Sequence, residues 1–207
     1  MINSYGELDA QHIDVLCEIG NIGAGNAATS LSVMIDEGVN ITIPRVKILD
    51  YDEIIRAVGD PEDLGIAIMI KYEGDVRGIV LFLLGYEDAK GFADMLIEDV
   101  GLDHEDELSE LMISTIKEIG NILGSSYLGS ISTLTGLSYD ISVPYVSIDM
   151  VGAIMSAPML EYSVDNKKIL FIEESFSTDT RSLNSHVILF ADIPSLNKIL
   201  TQLGIEG

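Results

Sequence analysis

The sequence contains few of the residues that build disulfides and metal sites, and it has no long apolar run. Its single cysteine, Cys17, cannot form a disulfide within the chain, which fits a reducing compartment. Its three histidines match no metal-ligand spacing, so we assign no metal site to the chain. A membrane-spanning helix needs about 20 apolar residues, whereas the longest uninterrupted apolar run is 79–84. We therefore expect no insertion into a membrane.

Basic residues are also scarce. The chain has 11 lysines and arginines against 34 acidic residues, which gives a formal net charge of −23. Phosphate backbones and anionic lipid surfaces repel such a chain, so nucleic acid is not expected as a partner. The first ten residues lack the basic and apolar regions of a signal peptide, and we expect a cytoplasmic protein. The acidic residues are dispersed among apolar segments, which predicts a folded chain and not disorder.

The chain repeats itself with an offset of 100 residues. The sequence Glu-Ile-Gly-Asn-Ile at 18–22 recurs at 118–122, and eleven residues are identical when 14–50 is aligned without gaps on 114–150. Such a repeat must be recognised before local structure is assigned. Two copies of this length predict a unit with pseudo-two-fold symmetry, which can replace a dimer, so we expect a monomer.

Each half predicts the same order of elements: a long helix, a run of β-branched residues, two further strands and a shorter closing helix. The predicted helices are 8–36 and 87–100 in the first half, and 105–136 and 195–203 in the second. The predicted strands are 39–49, 65–72 and 76–84, then 139–150, 168–174 and 186–192. This order predicts an α+β fold: a pseudo-two-fold duplicated unit in which two long helices lie against an antiparallel β-sheet, with shorter closing helices.

We predict one domain, 1–207, with internal repeats at about 8–100 and 105–203, because no linker rich in Pro, Gly or Ser separates the halves. The acidic stretch 103–107 is expected to begin the second long helix, where negative charge meets the positive end of the helix dipole. The segment 151–166 has no counterpart of equal length in the first half, and we expect a short helix and a loop there.

Both long helices carry a polar stripe that points away from the predicted core. On a helical wheel the stripe consists of Asp14, Glu18, Asn21 and Gly25 in the first helix and of Ser114, Glu118, Asn121 and Ser125 in the second. A stripe of this kind is usually the solvated face of an amphipathic helix. Here the Glu-x-x-Asn pair occurs in both copies, although asparagine is a mediocre helix former. The repetition favours a functional interpretation.

The chemistry of a glutamate and an asparagine is limited. An asparagine amide can hold a water through one donor and one acceptor, but it cannot serve as a general base. A glutamate can pair with a lysine of another protein. Phosphoryl transfer requires mostly positioning and charge stabilisation, so such a stripe can complete a site whose other parts belong to the substrate.

The spacing of these residues resembles a family signature. Asp14-x3-Glu18-x2-Asn21-x22-Pro44 and Ser114-x3-Glu118-x2-Asn121-x22-Pro144 resemble the Asp/Ser-x3-Glu-x2-Asn-x22-Pro pattern of the CheC/CheX/FliY phosphatases. The resemblance covers both halves in register, and the length with two complete copies favours the CheC type within this family. It implies phosphorylated CheY, the chemotaxis response regulator, as the substrate.

The resemblance also implies roles for the motif residues. Glu18 and Glu118 would each pair with the active-site lysine of the regulator, and Asn21 and Asn121 would each orient the water that attacks the phospho-aspartate. The regulator would supply the Mg²⁺, so no cofactor is expected to be bound by this chain.

The other motif positions are expected to support the site. The resemblance implies that Asp14 and Ser114 adjust the docking surface, and it gives them no part in the chemistry. Pro44 and Pro144 are expected to have a structural role, because proline within a strand run belongs at an edge or a bulge.

A second resemblance concerns a partner. Asp149 and Met150 begin a segment, 149–154, that resembles the stretch associated in CheC relatives with binding of CheD, a receptor-modifying deamidase. The ordinary interpretation of the neighbouring methionines, Met150, Met155 and Met159, is a buried helix patch.

Two other function classes stay open. The chain could be a non-catalytic binding module for CheD or phosphorylated CheY that acts as an adaptation switch. It could also bind a nucleotide, because 23–28 fits the Gly-x-Gly-x-x-Ala fingerprint. That fingerprint must follow a strand and open a helix, whereas 14–19 has helical period. We interpret Gly20, Ala24 and their neighbours as positions of close helix packing.

Overall fold

The computed structural model describes residues 1–97, 110–162, 168–179 and 182–205. The predicted helix start at 103–107 lies outside these residues. The helices are α1 Ala10–Ile35, α2 Tyr51–Val58, α3 Tyr86–Ile97, α4 Glu110–Thr135, α5 Val151–Tyr162 and α6 Ile193–Gln202. The strands are β1 Asn40–Ile41, β2 Arg45–Asp50, β3 Leu64–Gly74, β4 Gly78–Gly85, β5 Tyr139–Ile141, β6 Tyr145–Met150, β7 Lys168–Ser177 and β8 Ser182–Ala191.

The strands form one antiparallel sheet in the order β1-β7-β8-β4-β3-β5, with β2 also pairing with β7 and β6 with β3. The hairpin β3–β4 of the first half and the hairpin β7–β8 of the second meet at the centre, where Leu81 pairs with Ile188. The first strands of each half add to the hairpin of the other half. This exchange gives the sheet its pseudo-two-fold symmetry. The predicted α+β fold with a duplicated unit is confirmed.

Helices cover both faces of the sheet. Because successive strand residues point to opposite faces, Leu170 packs into the larger core under the long helices and Phe171 into a smaller core on the other side. The larger core also takes in residues of α3 and α6, and the smaller one takes in Ile54 of α2 and Met155 of α5. Burying a large apolar side chain contributes about 1.5–3 kcal/mol, so the larger core fixes the long helices on the sheet.

The first long helix begins at a capping box. The Asp9 side chain accepts hydrogen bonds from the backbone N–H groups of Gln11 and His12 at 3.0 and 3.1 Å. His12 Nδ1 lies 2.6 Å from Asp9 Oδ1, and the imidazole is buried. His12 therefore takes part in capping this helix.

The helix α2 was not predicted from the sequence. Its signal is a second capping box, in which Asp50 Oδ1 accepts from Glu53 N at 2.8 Å and Glu53 Oε2 accepts from Asp50 N at 2.8 Å. The α5 helix, 100 residues later, occupies the same place in the second half. The segment that begins at residue 151 therefore has a helical counterpart, although α5 is the longer helix.

The two predicted strands that contain the motif prolines, 39–49 and 139–150, are not continuous in the structure. Each predicted run divides into two strands, with interruptions at 42–44 and 142–144. Pro44 and Pro144 end these interruptions, and a proline has no N–H to donate to a neighbouring strand. The hairpin strands β7 and β8 are longer than predicted. No helix in the described part of the chain combines the length and apolarity that a membrane crossing requires.

Candidate functional site

The two polar stripes lie on the outward faces of α1 and α4. All eight stripe residues are exposed: Asp14, Glu18, Asn21, Gly25, Ser114, Glu118, Asn121 and Ser125. The inward faces are buried, and α1 packs directly on α4. At their close approach a β-carbon on Gly23 would lie 3.0 Å from Cδ1 of Tyr127. The predicted orientation of both stripes is confirmed, and each stripe stands on a helix that is packed along its length.

The glutamate and the asparagine of the second stripe contact each other. Asn121 Nδ2 donates a hydrogen bond to Glu118 Oε2 at 3.1 Å. Among the described residues, the side chains of Glu18 and Asn21 form no such bond. The bond leaves the Asn121 carbonyl oxygen and the second Glu118 carboxylate oxygen able to accept further hydrogen bonds. The second stripe therefore holds its two functional groups in a defined arrangement.

A glycine between each glutamate and asparagine lets the helix approach a motif proline. A β-carbon on Gly20 would lie 3.6 Å from Cβ of Pro44, and a β-carbon on Gly120 would lie 3.2 Å from Cβ of Pro144. Both prolines are buried. The fixed spacing between asparagine and proline thus has a structural cause, because the proline supports the helical turn that displays the polar pair.

A groove of about 490 Å³ opens between α1 and α4 beside the second stripe. Glu118 and Asn121 of α4 line it together with Asn26 and Ser30 of α1. Asn26 Nδ2 also donates to Ser130 Oγ at 3.4 Å. Nothing in the sequence pattern placed Asn26 at this site, since only the packing of α1 on α4 brings it there. Its position in the middle of a helix also removes the structural basis of the dinucleotide fingerprint.

A buried ionisable pair lies beneath α4. Tyr127 Oη donates a hydrogen bond to Glu174 Oε2 of β7, and the other carboxylate oxygen of Glu174 has no hydrogen-bond partner among the residues that the structure describes. Burial raises the pKa of Glu174 to about 8 against the opposing effect of the hydrogen bond from Tyr127, which lowers it. Burial likewise raises the pKa of the Tyr127 hydroxyl. The pair is distant from the solvent face of the stripes, so it belongs to the core that supports them.

Asp149 and Met150 lie where β6 ends and α5 begins. Both are exposed, and Asp149 Oδ1 accepts from the backbone N–H of Met150 at 2.8 Å. Met150 is 53% exposed and pairs with Leu64, which is 48% exposed. Met155 is fully buried. The interpretation of these methionines as core residues is therefore confirmed for Met155 and wrong for Met150, and the side chain of Met159 lies outside the described part of the chain.

Cys17 and His186 are not part of either stripe. Cys17 is half-buried on α1. The His186 ring stacks on Phe171 at 5.3 Å, and burial lowers its pKa. Over the residues that the structure describes, no three His, Cys, Asp or Glu side chains come together as metal ligands.

Known proteins resemble this chain in sequence and in fold. A family model described as CheC-like matches residues 12–48 and 111–148, the two segments that carry the stripes and the motif prolines. The chain is 30% identical to the Bacillus subtilis protein named CheY-P phosphatase CheC, over 97% of each protein. It is 32% identical to the flagellar motor switch phosphatase FliY of the same organism, over 71% of this chain and 38% of that protein.

Solved structures show the same fold. The crystal structure of Thermotoga maritima FliY superposes with a TM-score of 0.76 at 22% identity, covering 96% of this chain and 98% of that one. The middle domain of Helicobacter pylori FliM has a TM-score of 0.71 at 12% identity, covering 94% and 99%. The fold is thus shared with proteins of low sequence identity. The match to the Bacillus subtilis relative runs over nearly the whole length, and the chain belongs to the CheC-like family.

Proposed function

We propose that this chain is a phosphatase that hydrolyses the phospho-aspartate of the response regulator CheY. The observation that carries the proposal is the duplicated display of an exposed glutamate and asparagine on two packed helices, Glu18 with Asn21 and Glu118 with Asn121. The substrate is supported by the name of the Bacillus subtilis relative, CheY-P phosphatase.

The asparagines orient the attacking water. The amide of Asn21 or Asn121 enters the active site of the regulator, where its donor and acceptor fix one water in line with the phosphorus. The water oxygen forms a bond to phosphorus as the bond to the aspartyl oxygen breaks. The products are inorganic phosphate and the free carboxylate. Holding the water in line removes most of the entropic part of the barrier.

The glutamates position the regulator. Glu18 or Glu118 pairs with the active-site lysine of CheY through a charge-assisted hydrogen bond. The second stripe is better arranged for this pairing, since the hydrogen bond from Asn121 already orients the Glu118 carboxylate. Asp14 and Ser114, one turn before each glutamate, are exposed and border the docked surface.

The Mg²⁺ of the reaction belongs to the regulator. That metal, held by the regulator, would neutralise charge that develops on the phosphoryl group in the transition state. The stripes contain one or two carboxylates with an amide, which suits contact with a site that already holds its metal. The chain itself is proposed to bind no cofactor.

We propose CheD as a second partner, at Asp149 and Met150. An exposed methionine beside an exposed carboxylate at the start of α5 offers an adaptable apolar contact with a charged neighbour. Leu64 extends this patch. The patch is on a different part of the chain from the stripes, so the two partners need not compete.

Turnover separates the phosphatase from a pure binding module. Phosphorylated CheY with Mg²⁺ is mixed with one-tenth of its concentration of this chain, and the phosphoryl group remaining on CheY is followed. We expect an enzyme to remove the label from all of the regulator. A binding module that acts as an adaptation switch would leave the rate of phosphoryl loss unchanged, or would protect one molecule of phosphorylated CheY per chain. Either result would rule out the phosphatase. Asn3→Ala, an exposed asparagine outside both stripes, is the matched control and keeps full activity.

A further inference from the structure

We infer that the groove between α1 and α4 is a docking subsite of the second stripe, so that this stripe works as a composite site built from both long helices. The inference rests on the proposed function and deepens it, because it assigns residues outside the family signature to the site. Four residues that line the groove carry the inference: Asn26 and Ser30 of α1, and Ser126 and Gly129 of α4.

The groove is continuous with the polar pair of the second stripe. Glu118 and Asn121 themselves line its volume of about 490 Å³, so the groove starts at the two side chains that are proposed to meet the regulator. Clefts of about 300–1,000 Å³ are typical of ligand-binding sites. A regulator that brings its phospho-aspartate to Asn121 therefore covers the groove or enters it.

The lining of the groove is polar and nearly uncharged. Among the described residues that line it, Glu118 is the only charged one, and the hydroxyl and amide residues are Asn26, Ser30, Asn121, Ser125, Ser126 and Thr133. Hydroxyl and amide groups both donate and accept hydrogen bonds, which suits neutral polar groups such as main-chain N–H and C=O. The occupant is the segment of the regulator beside its phospho-aspartate, bound through such groups.

Small residues open the groove. Ser126 and Gly129 line it, whereas the aligned positions of the first half carry the larger Asn26 and Thr29. A β-carbon on Gly129 would meet nothing within 4 Å, so packing does not require a glycine there. Glycine is also a poor helix former. The open space of the groove is therefore what a side chain at this position would remove.

The two halves differ across the helix interface as well. Asn26 Nδ2 donates to Ser130 Oγ at 3.4 Å, and Ser130 is only 2% exposed. The equivalent pair under the 100-residue repeat is Ser126 with Ser30, and Ser30 is exposed and lines the groove. The longer Asn26 side chain thus helps to cover one serine, whereas the shorter Ser126 leaves the other one open.

Asn26 distinguishes a composite site from two independent stripes. It belongs to α1 and directly follows Gly25, the last residue of the first stripe. It nevertheless lines the groove together with Glu118 and Asn121 of α4. If the stripes were independent, a change at Asn26 would affect the first stripe, whereas the groove assigns the effect to the second.

The test uses two chains that each keep one stripe intact. Glu18→Gln plus Asn21→Ala leaves the second stripe, and Glu118→Gln plus Asn121→Ala leaves the first. A further substitution, either Gly129→Thr to fill the groove or Asn26→Ala to remove its amide, is then placed in each chain. Two quantities are measured: kcat/KM for phosphorylated CheY with Mg²⁺, and Kd for CheY that carries beryllofluoride in place of the phosphoryl group.

The loss is expected only where the second stripe performs the hydrolysis. There, each further substitution lowers kcat/KM at least about tenfold and raises Kd by a similar factor, whereas both quantities change less than about twofold where only the first stripe is intact. The thermal midpoint of Gly129→Thr does not fall, because threonine is the better helix former. The matched control is Gly38→Thr, outside both stripes and the groove, where an added β-carbon also meets nothing within 4 Å, and it keeps full activity.

The outcomes separate the docking subsite from the proposed function. Unchanged kcat/KM and Kd for Gly129→Thr beside the intact second stripe overturn the subsite, and so do equal losses in the two chains. In both cases, hydrolysis by the wild type keeps the proposed function. Binding without hydrolysis by the wild type removes the proposed function, and the subsite then stands on its selective shift in Kd. A wild type that neither binds nor hydrolyses overturns both.

Discussion

Pro144 packs against Gly120 more tightly than Pro44 packs against Gly20. A β-carbon on Gly120 would lie 3.2 Å from Cβ of Pro144 and 2.5 Å from Cγ2 of Ile68, whereas a β-carbon on Gly20 would lie no closer than 3.6 Å to Pro44. The Ile68 methyl is attached next to the backbone and cannot swing aside easily. The two halves therefore offer a matched pair of substitutions at equivalent positions.

Alanine is expected to act oppositely at these two glycines. Gly120→Ala overpacks the core and lowers the free energy of unfolding by about 1–3 kcal/mol. Gly20→Ala makes only ordinary contacts and gains up to about 1 kcal/mol from helix propensity. Denaturant unfolding of both variants measures the difference. Equal effects of the two alanines would contradict the tighter support beneath the second stripe.

The buried Glu174 makes stability fall as pH rises. Its pKa in the folded chain is about 8, above the usual value near 4.5, so between these values the unfolded state releases the proton and the folded state keeps it. The free energy of unfolding then declines by up to about 1.4 kcal/mol per pH unit over this window. Glu174→Gln removes this contribution. Chemical unfolding between pH 5 and 8 is expected to show a flatter profile for the variant, and parallel profiles would contradict the raised pKa.

The charge of the two glutamates is expected to matter for docking. Glu18→Gln plus Glu118→Gln keeps the shape of both stripes but removes the partner charge for the regulator's lysine. We expect KM for phosphorylated CheY to rise at least about tenfold and to become less sensitive to salt. A matched control is Glu62→Gln, at an exposed residue between α2 and β3, which leaves KM unchanged. If the KM of the stripe variant equals that of the wild type, the glutamates do not pair with the regulator's lysine.

The sequence predicts the stripes well because the helical period and the 100-residue repeat are both local in the chain. Exposure of Glu18 and Asn21, and of their counterparts, follows from the wheel alone. The wheel does not predict the contact of Pro44 with Gly20, because the spacing of 22 residues does not show how the strand returns beneath the helix.

Other features depend on packing between distant segments. Asn26 reaches the second stripe only through the packing of α1 on α4, and Glu174 is buried only because β7 lies beneath Tyr127. The exchange of β2 and β6 between the halves likewise has no sequence signal. The helix α2 is different, because its capping box, Asp50 with Glu53, is a local signal that can be read from the sequence.

The central claim is that the two asparagines orient the attacking water, and the most direct test uses Asn21→Ala plus Asn121→Ala. Loss of the phosphoryl group from phosphorylated CheY with Mg²⁺ is followed at saturating concentrations of the variant and of the wild type. Binding is measured in parallel with CheY that carries beryllofluoride, a phosphoryl mimic that is not hydrolysed. We predict that kcat falls by about a hundredfold or more while Kd changes less than about threefold. Hydrolysis by the double variant at the wild-type rate would contradict the account.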